Sequence, residues 1–218
     1  MGRIERYYER QFGELLGKMG GTDPEREVPA LFQSARERAA REGCSLSFQL
    51  ASLHADLVRR AGVCADSPQT FVCDSGLGGL ARWLRGAGYD AFWRLESDDA
   101  AVIREAQQRY ATLITTDSLM IERGVLRDRL VPNVFVPSTL TCEQQLEIVL
   151  RQLGLTPRES RCMQCGGQLR KVPRESVAER IPPKTARWLE EYFLCERCNH
   201  LFWRGTHWQR IQRRLREL

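Results

Sequence analysis

Two Cys-x-x-Cys pairs constrain this chain more than any other feature: Cys162-Met-Gln-Cys165 and Cys195-Glu-Arg-Cys198. Each pair presents two thiols from one tight knuckle, so the intervening chain must return on itself to gather four sulfurs in a tetrahedron. That ligand set, Cys162, Cys165, Cys195 and Cys198, is the Zn²⁺ site of a zinc ribbon, and four thiolates leave no open coordination position, so the role is structural. A redox dithiol competes for either pair alone, but two pairs in one module favour the metal. The interval between the knuckles is long, so an insertion must loop out, formed by Ile181-Pro182-Pro183 and a helix-like run over 185–191. Gly166-Gly167 and Asn199 follow the pairs where tight turns are expected. His200 and His207 are read as neighbours of the site or surface groups, not ligands. Of eight cysteines, the other four (Cys44, Cys64, Cys73, Cys142) are scattered, which argues against a disulfide framework.

Upstream, residues 70–154 alternate short apolar strands with amphipathic helices. Strands are expected over 70–73, 89–93, 111–116 and 131–136, and helices over 77–86, 100–109, 118–123 and 141–154. In the first of these helices Leu77, Leu80, Ala81 and Leu84 recur at i, i+3, i+4 and i+7, one apolar face. Such alternation implies βαβ units and a parallel sheet covered by helices, an α/β fold. Right-handed crossovers bring the C-terminal ends of the strands to one edge. Asp74 and Asp117 both end strands, so they converge there although they are far apart in sequence. Asp98 and Asp99 open a helix in the same unit.

Converging carboxylates repel one another unless a cation lies between them. Asp74, Asp117 and one or both of Asp98 and Asp99 form a set of hard oxygen donors suited to Mg²⁺ or Mn²⁺. A site of that kind activates water for in-line phosphodiester displacement, leaving a 3′-hydroxyl and a 5′-phosphate. Asp74 also has a plainer role as a helix cap, and one of Asp98 and Asp99 is expected to serve only in capping and dipole compensation. Glu122 and Asp128 are open as a further acid.

Residues 1–66 read as helical. Ile4, Tyr7, Tyr8, Phe12, Leu15 and Leu16 repeat at three to four residues, a break falls at 20–24, and further helices are expected over 28–40 and 46–61. His54 is an isolated histidine on the last of these. The segment is read as a packing or protein-partner module, joined through a short linker at 65–69 to the alternating region. The net charge of +5 is uneven: residues 161–218 carry thirteen basic and six acidic side chains, 67–160 carry ten and twelve, and 1–66 carry ten of each. A basic module beside an acidic one suggests a polyanionic partner. No apolar run approaches the ~18 residues of a spanning helix, and the start of the chain lacks a signal-peptide core, so a cytoplasmic protein without a membrane partner is expected. The hydrophobic fraction of 42% excludes global disorder.

The run Asp74-Ser-Gly-Leu-Gly-Gly-Leu-Ala-Arg-Trp-Leu-Arg-Gly-Ala-Gly-Tyr-Asp90, followed by Asp98-Asp99, by Leu113-Ile-Thr-Thr-Asp117 and by the paired cysteines, resembles the Mut7-C RNase domain family. The resemblance runs from about residue 70 to the C-terminus, and includes the Trp-x-Gly-Thr-His-Trp segment. It implies a PIN-like parallel sheet flanked by helices over 70–157, a zinc ribbon with a basic helix over 158–218, and the helical segment 1–66 outside both. It further implies a divalent-metal-dependent endoribonuclease with Asp74, Asp99 (or Asp98) and Asp117 as the acidic cluster. Arg82 and Arg85 on the first helix, and Arg204, Arg210, Arg213 and Arg214 near the end, are then the candidate RNA contacts. Trp203 is read as packing and Trp208 as open between packing and base stacking. Three positions depart from the family pattern: Gly76 stands where a methionine is usual, Gly79 where a lysine is, and Thr116 where an arginine is. The alternative is an RNA- or ribosome-binding adaptor whose nuclease centre has decayed.

Overall fold

A computed structural model describes residues 2–20, 23–62 and 70–217, which fall into two compact units. The first joins residues 1–80 to 93–156, and the second joins 81–92 to 157–218. The expected linker at 65–69 lies outside the described residues.

The first unit opens with α1 (Arg3–Lys18), α2 (Pro24–Glu42) and α3 (Leu46–Arg60). Local chemistry sets their ends. Asp23 accepts from the Arg26 N–H at 3.2 Å and Pro24 supplies a preset first turn, so α2 starts earlier than its apolar pattern does. Gly43, at φ 64°, ends it in the left-handed conformation that glycine adopts without steric cost. Ser45 caps α3 through the Phe48 N–H at 3.2 Å.

The alternating region follows as β1 (Thr70–Cys73), α4 (Gly78–Gly86), β2 (Asp90–Trp93), α5 (Asp99–Gln108), β3 (Thr112–Thr115), α6 (Ser118–Ile121), α7 (Gly124–Arg127), β4 (Asn133–Phe135) and α8 (Cys142–Leu153). Together these make a mixed α/β fold with a four-stranded parallel sheet in the order β2-β1-β3-β4. β1 pairs with β3 from Phe71↔Thr112 to Cys73↔Ile114, and β3 pairs with β4 from Leu113↔Asn133 to Thr115↔Phe135. All of β3 is buried, which is why its sequence is a continuous β-branched and apolar run and not an alternation. The single helix expected over 118–123 is two: Arg123 is extended at φ −62°, ψ 134° and caps a new turn from Gly124. Thr141 and Gln144 form a reciprocal capping box that starts α8.

α3 is buried along most of its length because α1, α2 and α8 all pack on it. The N-terminal helices also reach the sheet, with the Tyr7 ring 4.2 Å from that of Phe135 on β4. Tyr7, Tyr8 and Phe12 surround His54, whose burial, reinforced by Arg129 and opposed by Gln152, lowers its pKa to about 4. His54 is thus a neutral core residue.

The second unit contains the antiparallel sheet β5 (Leu169–Val172), β6 (Tyr192–Cys195) and β7 (Leu201–Trp203), in that order, followed by α10 (Thr206–Arg216). Its small core is Val172, Val177, Ile181, Tyr192 and Leu201. The insertion between the knuckles differs from expectation. A 3₁₀ segment at Arg174–Arg180 precedes one short helical turn, α9 (Pro183–Ala186), and no helix runs over 187–191. The Tyr192 hydroxyl donates to the Leu189 carbonyl at 2.8 Å, so the backbone beyond this turn is anchored by a side chain. In α10, Ile211 and Leu215 are buried one turn apart while the arginines face outward. Among the described residues no helix is long and apolar enough to cross a membrane.

Candidate functional site

The four cysteines close as their spacing requires. Cys162 Sγ lies 3.6 Å from Cys198 Sγ, Cys165 Sγ lies 3.4 Å from Cys195 Sγ, and all four sulfurs fall within 4.8 Å of one another. A disulfide would need about 2.0 Å. A tetrahedron with Zn–S bonds of about 2.3 Å has sulfurs about 3.8 Å apart, so the quartet fits zinc. The knuckle backbone supports thiolates: the N–H groups of Arg197 and Cys198 both point at Cys195 Sγ, at 3.4 Å each. Burial raises the Cys162 and Cys165 thiols; at Cys195 the same burial is outweighed by those two N–H groups together with the Cys165 and Cys198 thiols, which bring it down to about 7.

Arg85 underpins the first knuckle. Its side chain is buried, and it donates to the carbonyls of Ala91 (2.8 Å), Met163 (3.0 Å) and Gln164 (2.9 Å). The expectation that Arg85 contacts RNA is therefore corrected. A buried guanidinium held by main-chain carbonyls, two of them between Cys162 and Cys165, braces the first knuckle and is not presented to a phosphate. Arg197 has a related role, reaching the Cys165 carbonyl at 2.7 Å and Asp90 at 2.8 Å.

The acids stand at the ends of neighbouring parallel strands. Asp74 follows β1, and its N–H continues the ladder to the Ile114 carbonyl at 2.9 Å. Its carboxylate is largely buried. One oxygen accepts from the Ser75 N–H at 2.6 Å and the other from the Thr115 hydroxyl at 2.8 Å. Thr115 Oγ1 in turn accepts from the Asp117 N–H at 2.9 Å, so a single hydroxyl ties Asp74 to the start of the Asp117 turn. Asp117 caps α6 through the Leu119 N–H at 2.8 Å and accepts from Arg3 Nη2 at 2.6 Å. Arg3 Nε also donates to Ser118 Oγ at 3.1 Å.

Asp98 caps α5 through the Ala101 N–H at 2.7 Å, and Asp99 accepts from Arg123 Nη2 at 2.8 Å. Glu122 pairs with Arg10 at 2.8 Å and Asp128 with Arg127 at 2.9 Å. Among the described residues the cysteine quartet is the one group of three or more such ligands whose donor atoms all come within 4.8 Å. The aspartates are each satisfied by protein donors, two of which are guanidiniums.

The glycines after Asp74 have local explanations. A Cβ on Gly79 would collide with Cys142 Sγ, and one on Gly78 would come within 2.8 Å of the Trp93 ring, whose Nε1–H donates to the Ser75 carbonyl at 2.8 Å. Gly79 therefore marks a close approach of α4 to the start of α8, where a lysine side chain has no room. Gly76 has no such neighbour, the nearest atom being Thr116 Oγ1 at 4.0 Å.

Arg82, Arg210, Arg213 and Arg214 are exposed, the last paired with Glu217 at 2.9 Å. Arg204 lies between two rings, 5.1 Å from Phe193 and 5.1 Å from Trp208, and reaches Glu191 at 3.3 Å. Sequence reasoning passed over Thr115, Arg3 and Arg123. Thr115 carried a signal, a hydroxyl two residues before a strand-end acid, but its β-branched neighbours read simply as strand. Arg3 carried none, since 114 positions separate it from Asp117.

Searches of curated proteins and of solved structures returned no match to the chain. The Mut7-C RNAse domain profile matches residues 69–215, about two thirds of the sequence, spanning the acid-bearing strands and both cysteine knuckles; the chain belongs to the Mut7-C RNAse domain family.

Proposed function

We propose that this protein is a divalent-metal-dependent endoribonuclease that cuts RNA at Asp74, Asp99 and Asp117, with Asp98 capping the helix beside them. The observation that carries the reading is the Thr115 link, a buried hydroxyl that locks the Asp74 carboxylate and the Asp117 backbone together at adjacent strand ends. Family membership supports RNA as the substrate. The oxygen donors suit Mg²⁺ or Mn²⁺, which when bound supplies Lewis acidity and lowers the pKa of an attacking water. Asp74 is oriented for that task by Ser75 and Thr115, so its carboxylate needs no reorganisation. Arg82 and the outward arginines of α10 hold the phosphate backbone as charge-assisted donors. The cysteine quartet holds a structural zinc, and the first 66 residues add a surface for a protein partner.

A second reading, an RNA- or ribosome-binding adaptor with a decayed centre, draws support from the ion pairs. Arg3 on Asp117 and Arg123 on Asp99 neutralise two of the three acids without any metal. One experiment separates the two: incubate a total-RNA pool with Mn²⁺ or Mg²⁺ and either the wild type or Asp74→Asn/Asp117→Asn. The nuclease predicts metal-dependent cleavage that drops by at least about a hundredfold in the double variant. Equal binding by both proteins with cutting by neither makes the adaptor the better account.

A further inference from the structure

The ribbon sheet has two faces, and only one is filled by its own core. Val172, Tyr192 and Leu201 pack with Val177 and Ile181 of the insertion. Side chains alternate along each strand, and Phe193 pairs directly with Phe202, so these two rings share the opposite face. There they floor a cavity of about 490 Å³, walled by Trp208 and other residues of α10 and rimmed by Arg158, Arg204 and Arg216. That volume lies within the range of small-ligand pockets, about 300–1,000 Å³.

A second cavity of about 550 Å³ adjoins the first. It shares Arg204 and Trp208 with the first and adds Arg174, Arg187 and Trp188, the last of these 85% exposed. The shared wall is preorganised: Arg204 is stacked between Phe193 and Trp208 and steadied by Glu191.

Apolar rings alone would fit many partners. Arginines outnumber the acids in both linings (Glu159 in the first, Glu190 and Glu191 in the second), and in a segment with thirteen basic and six acidic side chains they favour a polyanion. Flat aromatic faces beside phosphate-binding forks are the chemistry that recognises an unstacked nucleobase with its phosphate, and a duplex keeps its base faces covered. Two adjoining cavities that share Arg204 and Trp208 suit consecutive nucleotides of one strand. We infer that the ribbon unit seats two neighbouring unpaired nucleotides of an RNA strand, one in each cavity, with Arg204 and Trp208 shared by both. The identity of the polyanion as RNA rests on the function proposed above; the preference for unpaired nucleotides rests on the cavities.

The test is fluorescence anisotropy with the full zinc-loaded chain and no added divalent cation, using a labelled single-stranded RNA of about a dozen nucleotides. A duplex of the same length and adenosine monophosphate serve as competitors. Binding needs no cutting, so a failed nuclease leaves this result intact. Trp208→Ala should weaken single-strand binding about tenfold or more, Trp208→Phe should restore most of it, and Trp188→Ala should cost less. Arg216→Glu should weaken binding and flatten its salt dependence. If Trp208→Ala and Arg216→Glu both bind like wild type with zinc retained, the inference is overturned. A duplex that competes as well as the single strand overturns it too, as does adenosine monophosphate if it competes equally, since that marks a free-nucleotide site.

Discussion

The two candidate metal regions are built on opposite plans. In the ribbon, four thiols lean together within 4.8 Å, with the main-chain N–H groups of Arg197 and Cys198 on Cys195 Sγ and the Arg197 guanidinium near Cys165 and Cys195. At the parallel-sheet edge, each aspartate already has a protein donor, and two of them have a guanidinium. The first arrangement is incomplete without its ion; the second is stable as it stands, so an ion has to compete for it. A structural metal and a catalytic one differ in this way because the first contributes to folding and the second must admit exchangeable water and substrate.

The largest effect that would test this contrast is loss of zinc. Structural zinc contributes an apparent ~10–16 kcal/mol in small metal-folded modules. Chelation or Cys162→Ser should therefore unfold β5–β7, read as loss of bound zinc and rapid proteolysis within 157–217, while removal of Mg²⁺ or Mn²⁺ leaves both units folded. Protection of the ribbon after complete zinc removal would break the comparison. Next in size is the catalytic loss expected of Asp74→Asn/Asp117→Asn, which should leave the zinc content unchanged.

Acid should separate the regions by mechanism. His54 has its pKa lowered to about 4 in the folded state, against 6.5 for an unperturbed histidine. The unfolded chain therefore binds its proton first, and the stability of the first unit is full above about pH 6.5 and declines as pH falls toward 4. At 1.36 kcal/mol per unit the total is about 3 kcal/mol. His54→Leu should flatten that slope in denaturant titrations of the first unit. It should leave untouched the acid release of zinc, which comes from protons competing for thiolates. An unchanged slope would remove His54 from the account.

Thr115→Val tests the link between the acids. It leaves a buried carboxylate oxygen without its donor, at a cost of about 1–3 kcal/mol, and should lower cleavage about tenfold or more without changing zinc content. Full activity would show that the link does not position the site. The smallest effect belongs to Arg3→Ala. Both partners of the Arg3–Asp117 pair are more than a third exposed, so stability should change by less than about 1 kcal/mol. If the guanidinium holds the place of a cation, the apparent Mn²⁺ affinity for cleavage should rise about two- to fivefold; a fall would make Arg3 a substrate contact instead.

Much of this was legible in the residues because the information is local. The knuckle spacing announces the quartet, the apolar stripe Leu77, Leu80, Ala81, Leu84 is buried as its period requires, and the caps at Asp23, Ser45 and Thr141 lie within three residues of the groups they satisfy. Asp74 and Asp117 are recognisable as strand-end acids since short apolar runs stop at them. The helix expected over 185–191 is instead one turn at Pro183–Ala186, after which the Tyr192 hydroxyl holds the Leu189 carbonyl, a contact that spacing alone does not announce.

What the sequence by itself determined is the inventory: four thiols for one soft ion, acids at strand ends, a basic end to the chain, and the alternation that makes the sheet parallel. What only the tertiary structure decided is the use made of each charge. Arg82 and Arg85 are three residues apart on one helix, yet the first faces solvent and the second is buried against the carbonyls of Met163 and Gln164. Arg3 reaches Asp117 across most of the first unit, and Arg204 is stacked between Phe193 and Trp208. The physical reason is range. Caps and knuckles act over a few residues, where sequence spacing is distance, whereas the partner of a long cationic side chain is set by whichever acids, carbonyls and rings the folded backbone brings within reach.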